Sequence, residues 1–181
     1  MAASVDTSSA DPRRPDRLEF FAAEDATDLI SSGTMTMPEL LDPDVTLETI
    51  AEWGGSSGHV TKVLYRSEDN GFSLVWSWFG PNFALPRHSH SADCLYYVVR
   101  GEARLGNRVV HAGGGFFTPS DAPYAYTAGP DGIEILEFRH APSFDMKITE
   151  NAARFAKIIE TVREHDRSWA EMSPVQPLPA R

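Results

Sequence analysis

The sequence predicts an all-β domain with accessory helices, in which a small antiparallel β-barrel is followed by a C-terminal helix. Residues 59–140 are rich in Val, Tyr, Phe and Trp, and turn-forming residues interrupt them at a spacing typical of a sandwich or barrel. Gly106 and Asn107 suit a tight hairpin turn in that region, because both residue types accept a positive φ. After Thr149 the apolar residues recur at helical spacing, which predicts a helix.

This pattern divides the chain into four segments. Residues 1–16 are small and polar and are predicted to be a disordered tail, while 17–58 are predicted to hold short helical and irregular segments. One of these helices is predicted at 45–53. Residues 59–140 are the predicted barrel, and 141–181 are the predicted C-terminal helix and tail. The apolar stripe of the C-terminal helix consists of Ala152, Phe155, Ile158, Ile159, Val162, Trp169 and Met172.

The charge of the chain limits its partners. Its 181 residues include 16 Lys and Arg against 26 Asp and Glu, which gives a formal net charge of −10. An acidic chain without a basic stripe is not expected to bind nucleic acid or an anionic membrane surface. No apolar run reaches the length of a transmembrane helix, about 20 residues, and the first residues do not resemble a secretory signal. Cys94 is the single cysteine, so we expect a cytoplasmic protein without disulfides.

The segment from Leu85 to Gly101 contains the best candidate metal ligands, His88 and His90. Side chains alternate between the two faces of a strand, so these two imidazoles point the same way. They could converge on one metal ion at distances of about 2.0–2.1 Å. Two donors do not complete a site, and the others must come from neighbouring strands or water.

The same segment resembles the first signature of the cupin superfamily, which reads Gly, a spacer, His-x-His, three or four residues, Glu, six residues and Gly. His88, His90 and Gly101 match this signature. Gly80 lies two residues farther from His88 than in the usual pattern, and Cys94 stands at the position of the Glu ligand. The resemblance implies a cupin-type β-barrel of the jelly-roll kind.

The second cupin signature also has a counterpart, between Gly113 and Ala128. Gly113 and Pro119 match it. Asp121 replaces a Gly, Tyr124 replaces the third His ligand, and Ala128 replaces an Asn. Two of the four ligand positions of the family are therefore kept in this chain.

The resemblance covers about residues 59–140. Cupins with three His and one Glu typically hold a divalent transition metal (Fe, Mn, Ni, Cu or Zn), and many are dioxygenases, isomerases or lyases. The resemblance thus implies a metal bound by His88 and His90, with Cys94 and Tyr124 as candidate further donors at the family's other ligand positions. His140, which ends the predicted last strand, is a candidate substitute for the third ligand. Thiolate would favour zinc or copper, whereas imidazole suits most first-row ions.

Further candidates concern catalysis and the pocket. Tyr124 and Cys94 are candidate acid–base residues beside the metal. Glu137 and His140 fall on opposite faces of the predicted last strand, so only one of them can face the cavity if the strand is regular. The candidate pocket residues are Tyr96, Tyr126, Trp76 and Glu137.

Three functions fit these observations. The first is a metal-dependent enzyme that acts on a small organic molecule inside the barrel. The alternative is a small-molecule binder or sensor without a metal, since two family ligands are replaced. The third is an assembly subunit whose barrel supports dimerisation. We also expect a homodimer, because the chain combines an aromatic barrel with an amphipathic helix.

Overall fold

A computed structural model describes residues 18–177 of the chain. The tail predicted at 1–16 lies outside the described residues. The strands are β1 (Thr27–Asp28), β2 (Glu39–Leu40), β3 (His59–Ser67), β4 (Phe72–Phe79), β5 (His88–Ser89), β6 (Cys94–Leu105), β7 (Arg108–His111), β8 (Gly115–Thr118), β9 (Thr127–Arg139) and β10 (Lys147–Ile148). The helices are α1 (Leu47–Gly54) and α2 (Ala152–Met172), and a short 3-10 turn spans Ala23–Asp25.

The strands form two sheets. The larger is seven-stranded and antiparallel, in the order β1-β3-β4-β9-β6-β7, with β8 also paired to β6. The smaller has the order β2-β10-β5, and its β2–β10 pair is parallel. The predicted antiparallel β-fold with a C-terminal helix is confirmed. No strand of one sheet pairs with a strand of the other among the described residues, and isolated bridges such as Ala84 to Thr127 do not join two named strands, so the sheets do not close into a continuous barrel.

The register of the central strands decides which side chains face inward. Val75 of β4 and Tyr96 of β6 both pair with Glu137 of β9. Directly paired residues share one face of a sheet, so these three side chains point to the same side. All three are buried. The inner face of the large sheet therefore carries a carboxylate among apolar and aromatic side chains.

Gly101 allows the two longest strands, β6 and β9, to approach each other closely. It has a φ of +70°, and a Cβ atom at this position would lie 2.0 Å from the carbonyl oxygen of Gly132. Every other residue type would meet both a strained backbone and a clash. The pairing of β6 with β9 is irregular on both sides of this point, so the glycine marks a bend in the sheet.

The C-terminal helix packs where two glycines leave room. Its buried residues are Phe155, Ile158, Ile159, Val162 and Trp169, which agrees with most of the predicted stripe, whereas Met172 is exposed. A Cβ atom on Gly58 or Gly80 would lie 2.5 or 2.3 Å from the indole of Trp169. The Trp169 indole N–H donates to the Pro81 carbonyl at 3.1 Å. These contacts fix α2 on the β-structure.

Residues 27–54 cover the inner face of the large sheet. β1 pairs with β3, β2 pairs with β10, and the indole N–H of Trp53 in α1 donates to the Ala84 carbonyl. Thr46 caps α1 by accepting a hydrogen bond from the Thr49 amide. The helix lies close to the one predicted at 45–53. Neither described helix is long and apolar enough to span a membrane.

Candidate functional site

A cavity of about 500 Å³ lies between the large sheet and residues 27–54. Its opening is marked by exposed lining residues, among them Ile30, Met37, Leu47 and Ala51. Its polar lining is concentrated in one cluster, which consists of His88, His90, Tyr96, Tyr124, Glu137 and Arg139. Most other lining residues are apolar, among them Leu29, Met35, Ile50, Trp53, Phe79, Leu85 and Met146.

Backbone pairing sets His88 beside Tyr124. The amide of each residue donates to the carbonyl of the other, at 2.9 Å in both directions. This mutual pairing places the two side chains on the same side. His90 follows two residues later, with its ring centroid 5.0 Å from that of His88. The structure thus brings together three positions that the cupin signatures align.

Both histidines have a defined tautomer. The Nδ1 atom of His88 lies 2.6 Å from the Pro86 carbonyl oxygen, and that of His90 lies 2.6 Å from the Asp145 carbonyl oxygen. A carbonyl oxygen only accepts, so each Nδ1 carries the hydrogen and each Nε2 keeps its lone pair. Burial lowers the pKa of His88 to about 4. Burial and the nearby Arg139 charge hold the pKa of His90 well below its usual value.

A directed chain of hydrogen bonds runs through the cluster. Arg139 Nη2 donates to the Tyr96 hydroxyl at 3.2 Å, and that hydroxyl contacts the Tyr124 hydroxyl. The Tyr124 hydroxyl lies 3.0 Å from His88 Nε2. Arginine only donates and this Nε2 only accepts, so Tyr96 must donate to Tyr124 and Tyr124 to His88. Both phenol hydrogens are therefore already engaged.

A buried ion pair completes the cluster. Glu137 Oε1 accepts from Ser77 Oγ at 2.6 Å, and Oε2 lies 2.6 Å from Arg139 Nη1. The Arg139 guanidinium also lies 4.0 Å above the ring of Phe144. Its Nε and Nη1 atoms are covered by protein and make no aligned hydrogen bond with the described residues. The opposite charges of Glu137 and Arg139 offset each other within the cavity wall.

Cys94 and Tyr124, the predicted acid–base candidates, are uncharged. Cys94 is 1% exposed and does not line the cavity. Burial raises the pKa of its thiol to about 12. Tyr124 does line the cavity, and burial raises the pKa of its phenol above its usual value. Neither side chain offers an anionic donor near neutral pH.

The donor set does not fit a resident metal ion. No group of three or more His, Cys, Asp or Glu side chains suited to a metal occurs within residues 18–177. His88 Nε2 already accepts the Tyr124 hydrogen bond, and the Arg139 guanidinium carries a positive charge beside both imidazoles. A cation would have to displace a hydrogen bond and tolerate that charge.

The remaining predicted residues divide into two groups. Tyr96, Tyr126 and Glu137 line the cavity. Trp76 does not line it, because Trp76 pairs with Leu136 on the face opposite to that of Glu137. His140 is exposed and follows the end of β9, and it too is absent from the lining.

Sequence reasoning missed Arg139, which belongs to the cluster, and Ser77, which donates a hydrogen bond to Glu137. Strand alternation places Arg139 on the same face as Glu137, and that parity was the available signal. Ser77 becomes recognisable only from the pairing of β4 with β9, where it is opposite Ile135 and reaches Glu137.

Comparisons with known proteins concern the fold. No family model matches the sequence, and no curated protein matches it significantly. Among solved structures, a mutant of the Bacillus subtilis oxalate decarboxylase OxdC is similar to 48% of this chain, with 19% identity and a TM-score of 0.43. An RmlC-like cupin from Shewanella frigidimarina is similar to 48% of the chain and 78% of its own, with 23% identity and a TM-score of 0.42.

Both likenesses cover about half of this chain, 48% in each case. The chain spans about a quarter of the oxalate decarboxylase chain, 26% of its length. Two sheets beside a cavity, with His88 in β5 and His90 directly after it and both histidines in the cavity lining, make this a cupin-like fold. The arrangement of its polar cluster is a property of this chain.

Proposed function

We propose that this cupin-like protein binds a small, mainly apolar organic molecule in its cavity, without a resident metal ion. The cavity of about 500 Å³ is the observation that carries this proposal. Ligand pockets usually measure about 300–1,000 Å³ and combine apolar walls with a few placed polar groups. This cavity has that composition, and hydrogen bonds tie His88, His90, Tyr96 and Tyr124 to one another, to Arg139 or to the backbone.

The state of the cluster favours binding over acid–base chemistry. The phenol hydrogens of Tyr96 and Tyr124 are engaged, and Glu137 is held by Ser77 and Arg139. A general base needs a free lone pair and a pKa near the working pH. The free lone pair in this cluster is on His90 Nε2, and burial and the Arg139 charge hold the pKa of that imidazole well below its usual value. A hydrogen-bonded cluster in which the charges of Glu137 and Arg139 offset each other is better suited to orienting a ligand.

A fluorescence titration tests the proposal. N-phenyl-1-naphthylamine is a neutral, apolar probe whose emission rises on transfer from water to an apolar site. We expect a saturable rise with one probe per chain. Ala51→Trp places an indole at an exposed lining position in α1 and should weaken binding at least tenfold. Ala170→Trp, on an exposed position of α2 away from the lining, is the matched control and should bind like the wild type.

Two results would contradict this proposal. One is the absence of saturable binding by the wild type, and the other is equal binding by Ala51→Trp. Elemental analysis of protein purified without an affinity tag distinguishes the metal-free binding protein proposed here from the metal-dependent enzyme that the sequence predicts. We expect far less than one transition metal per chain. A content near one, abolished by His88→Ala with His90→Ala, would support the enzyme instead.

A further inference from the structure

We propose that the cavity selects ligands with an uncharged hydroxyl head group, an alcohol or phenol, which donates a hydrogen bond to His90 Nε2. This inference rests on the proposed function, because it names the class of molecule that the cavity would bind. The observation behind it is an acceptor atom on a buried, cavity-lining histidine that no described residue uses, in a cluster whose own hydroxyl hydrogens are engaged.

The acceptor is His90 Nε2. His90 lines the cavity and is 6% exposed. Its Nδ1–H donates to the Asp145 carbonyl, and its Nε2 makes no hydrogen bond within residues 18–177. Asp145 is held in turn, because its carboxylate accepts from the Ser91 amide at 2.7 Å and its own amide donates to Ser91 Oγ. The tautomer that leaves a lone pair on Nε2 is thus fixed from outside the ring.

The rest of the cluster cannot satisfy this lone pair. The hydroxyl hydrogen of Tyr96 is donated to Tyr124, and that of Tyr124 is donated to His88. The Tyr126 hydroxyl and the Nε and Nη1 atoms of Arg139 make no aligned hydrogen bond with the described residues, but all three are covered by protein. A ligand that offers only an acceptor, such as an ether or ketone, would place a lone pair against a lone pair. A buried polar group left unsatisfied costs about 1–3 kcal/mol.

Charge restricts the head group further. Glu137 Oε2 already lies 2.6 Å from Arg139 Nη1. A carboxylate ligand would bring a second anion to the same guanidinium, and like charges at short range repel. A cationic ligand would be repelled by the positive charge of the Arg139 guanidinium. The head group that fits a neutral cluster with one free acceptor is an uncharged O–H donor.

Three ligands that differ only in the head group test this inference. 4-Hexylphenol, 4-hexylanisole and 4-hexylbenzoate share the ring and the alkyl tail. Isothermal titration calorimetry of the wild type should give the tightest binding for the phenol. The anisole, which lacks the O–H, should bind about tenfold more weakly. The benzoate should bind more weakly than the phenol by at least as much.

His90→Phe removes the acceptor and keeps an aromatic ring. The preference for phenol over anisole should fall to less than twofold, with anisole binding nearly unchanged. His111→Phe, at an exposed histidine outside the cavity lining, is the control and should keep the preference. The ligand series in the wild type decides the question even if His90→Phe does not fold.

The outcomes separate the two proposals. If none of the three compounds binds, the proposed function fails. If they bind with equal affinity, or if the benzoate binds most tightly, the cavity is a binding site and the hydroxyl preference is wrong.

Discussion

Tyr124 joins two parts of the cluster, since it accepts from Tyr96 and donates to His88. Tyr124→Phe would leave His88 Nε2 and the Tyr96 hydroxyl buried without this partner. We expect a loss of about 1–3 kcal/mol in the free energy of unfolding, measured by urea denaturation. Tyr97→Phe, at a half-exposed position, should change stability by less than about 0.5 kcal/mol. Equal effects of the two substitutions would mean that the chain of hydrogen bonds does not stabilise the fold.

His59 makes stability depend on pH. Its imidazole stacks on Trp53, with centroids 5.6 Å apart, and its Nδ1 is buried without a hydrogen bond to a described residue. Burial lowers its pKa to about 4. The unfolded chain, where the pKa is about 6.5, binds this proton more readily. Stability is therefore present above pH 6.5 and is lost as the pH falls toward 4.

His59→Phe should reduce that loss, because phenylalanine keeps the stacking and has no proton to bind. We expect the fall in unfolding free energy between pH 7 and 4.5 to be smaller by about 2 kcal/mol in this variant. Denaturant melts at a series of pH values measure this difference. Parallel pH profiles of variant and wild type would contradict the assignment.

Among the elements, those with local signals were predicted best. Alternation and turn residues indicated the strands between 59 and 140, and helical spacing indicated α2. β1 and β2 have two residues each, and β2 pairs with β10 across more than a hundred residues. Such short, remote pairs leave no periodicity in the sequence, so the wall of the cavity could not be predicted.

The candidate site was predictable to a similar degree. The cupin signatures placed His88, His90 and Tyr124 at related positions, and the structure groups them. Strand alternation alone does not show which face of β4 points into the cavity. For this reason the sequence predicts Trp76 as a pocket residue, although it lies on the face opposite to that of Glu137. The tautomer of His90 depends on the carbonyl of Asp145, which is remote in sequence. The hydrogen bond from Arg139 to Tyr96 likewise joins two strands that are remote in sequence.

The contact of α2 with the β-structure depends on the lack of a side chain at Gly80. Gly80→Ala would place a methyl group 2.3 Å from the Trp169 indole, so the helix must shift. We expect a loss of about 1–3 kcal/mol in the free energy of unfolding, as for other overpacked sites. Gly54→Ala is the control, because no atom lies within 4 Å of its added Cβ. Urea unfolding followed by tryptophan fluorescence compares the two variants. Equal stabilities would show that Trp169 and α2 shift without cost to make room for the added methyl group.

For the whole molecule, the homodimer stays a prediction. On the outer face of the large sheet, the exposed Leu95 pairs with the exposed Phe117 on one side and Phe138 on the other. Light scattering should give about twice the chain mass of 20.0 kDa. If this face forms the contact, Leu95→Lys should give the monomer mass, whereas Leu47→Lys at the cavity opening should not. A wild-type monomer at all concentrations would contradict the prediction.

The segment that covers the cavity has a consequence for kinetics. Residues 27–54 are attached by strands of two residues, whereas β6 and β9 pair over most of their length. Amides in the segment should therefore exchange with deuterium through local opening, far faster than those of Tyr96 and Val98. Such opening would let a ligand enter without global unfolding. Hydrogen exchange followed by mass spectrometry should show slower exchange of this segment when 4-hexylphenol is bound, and unchanged exchange would mean that entry follows another route.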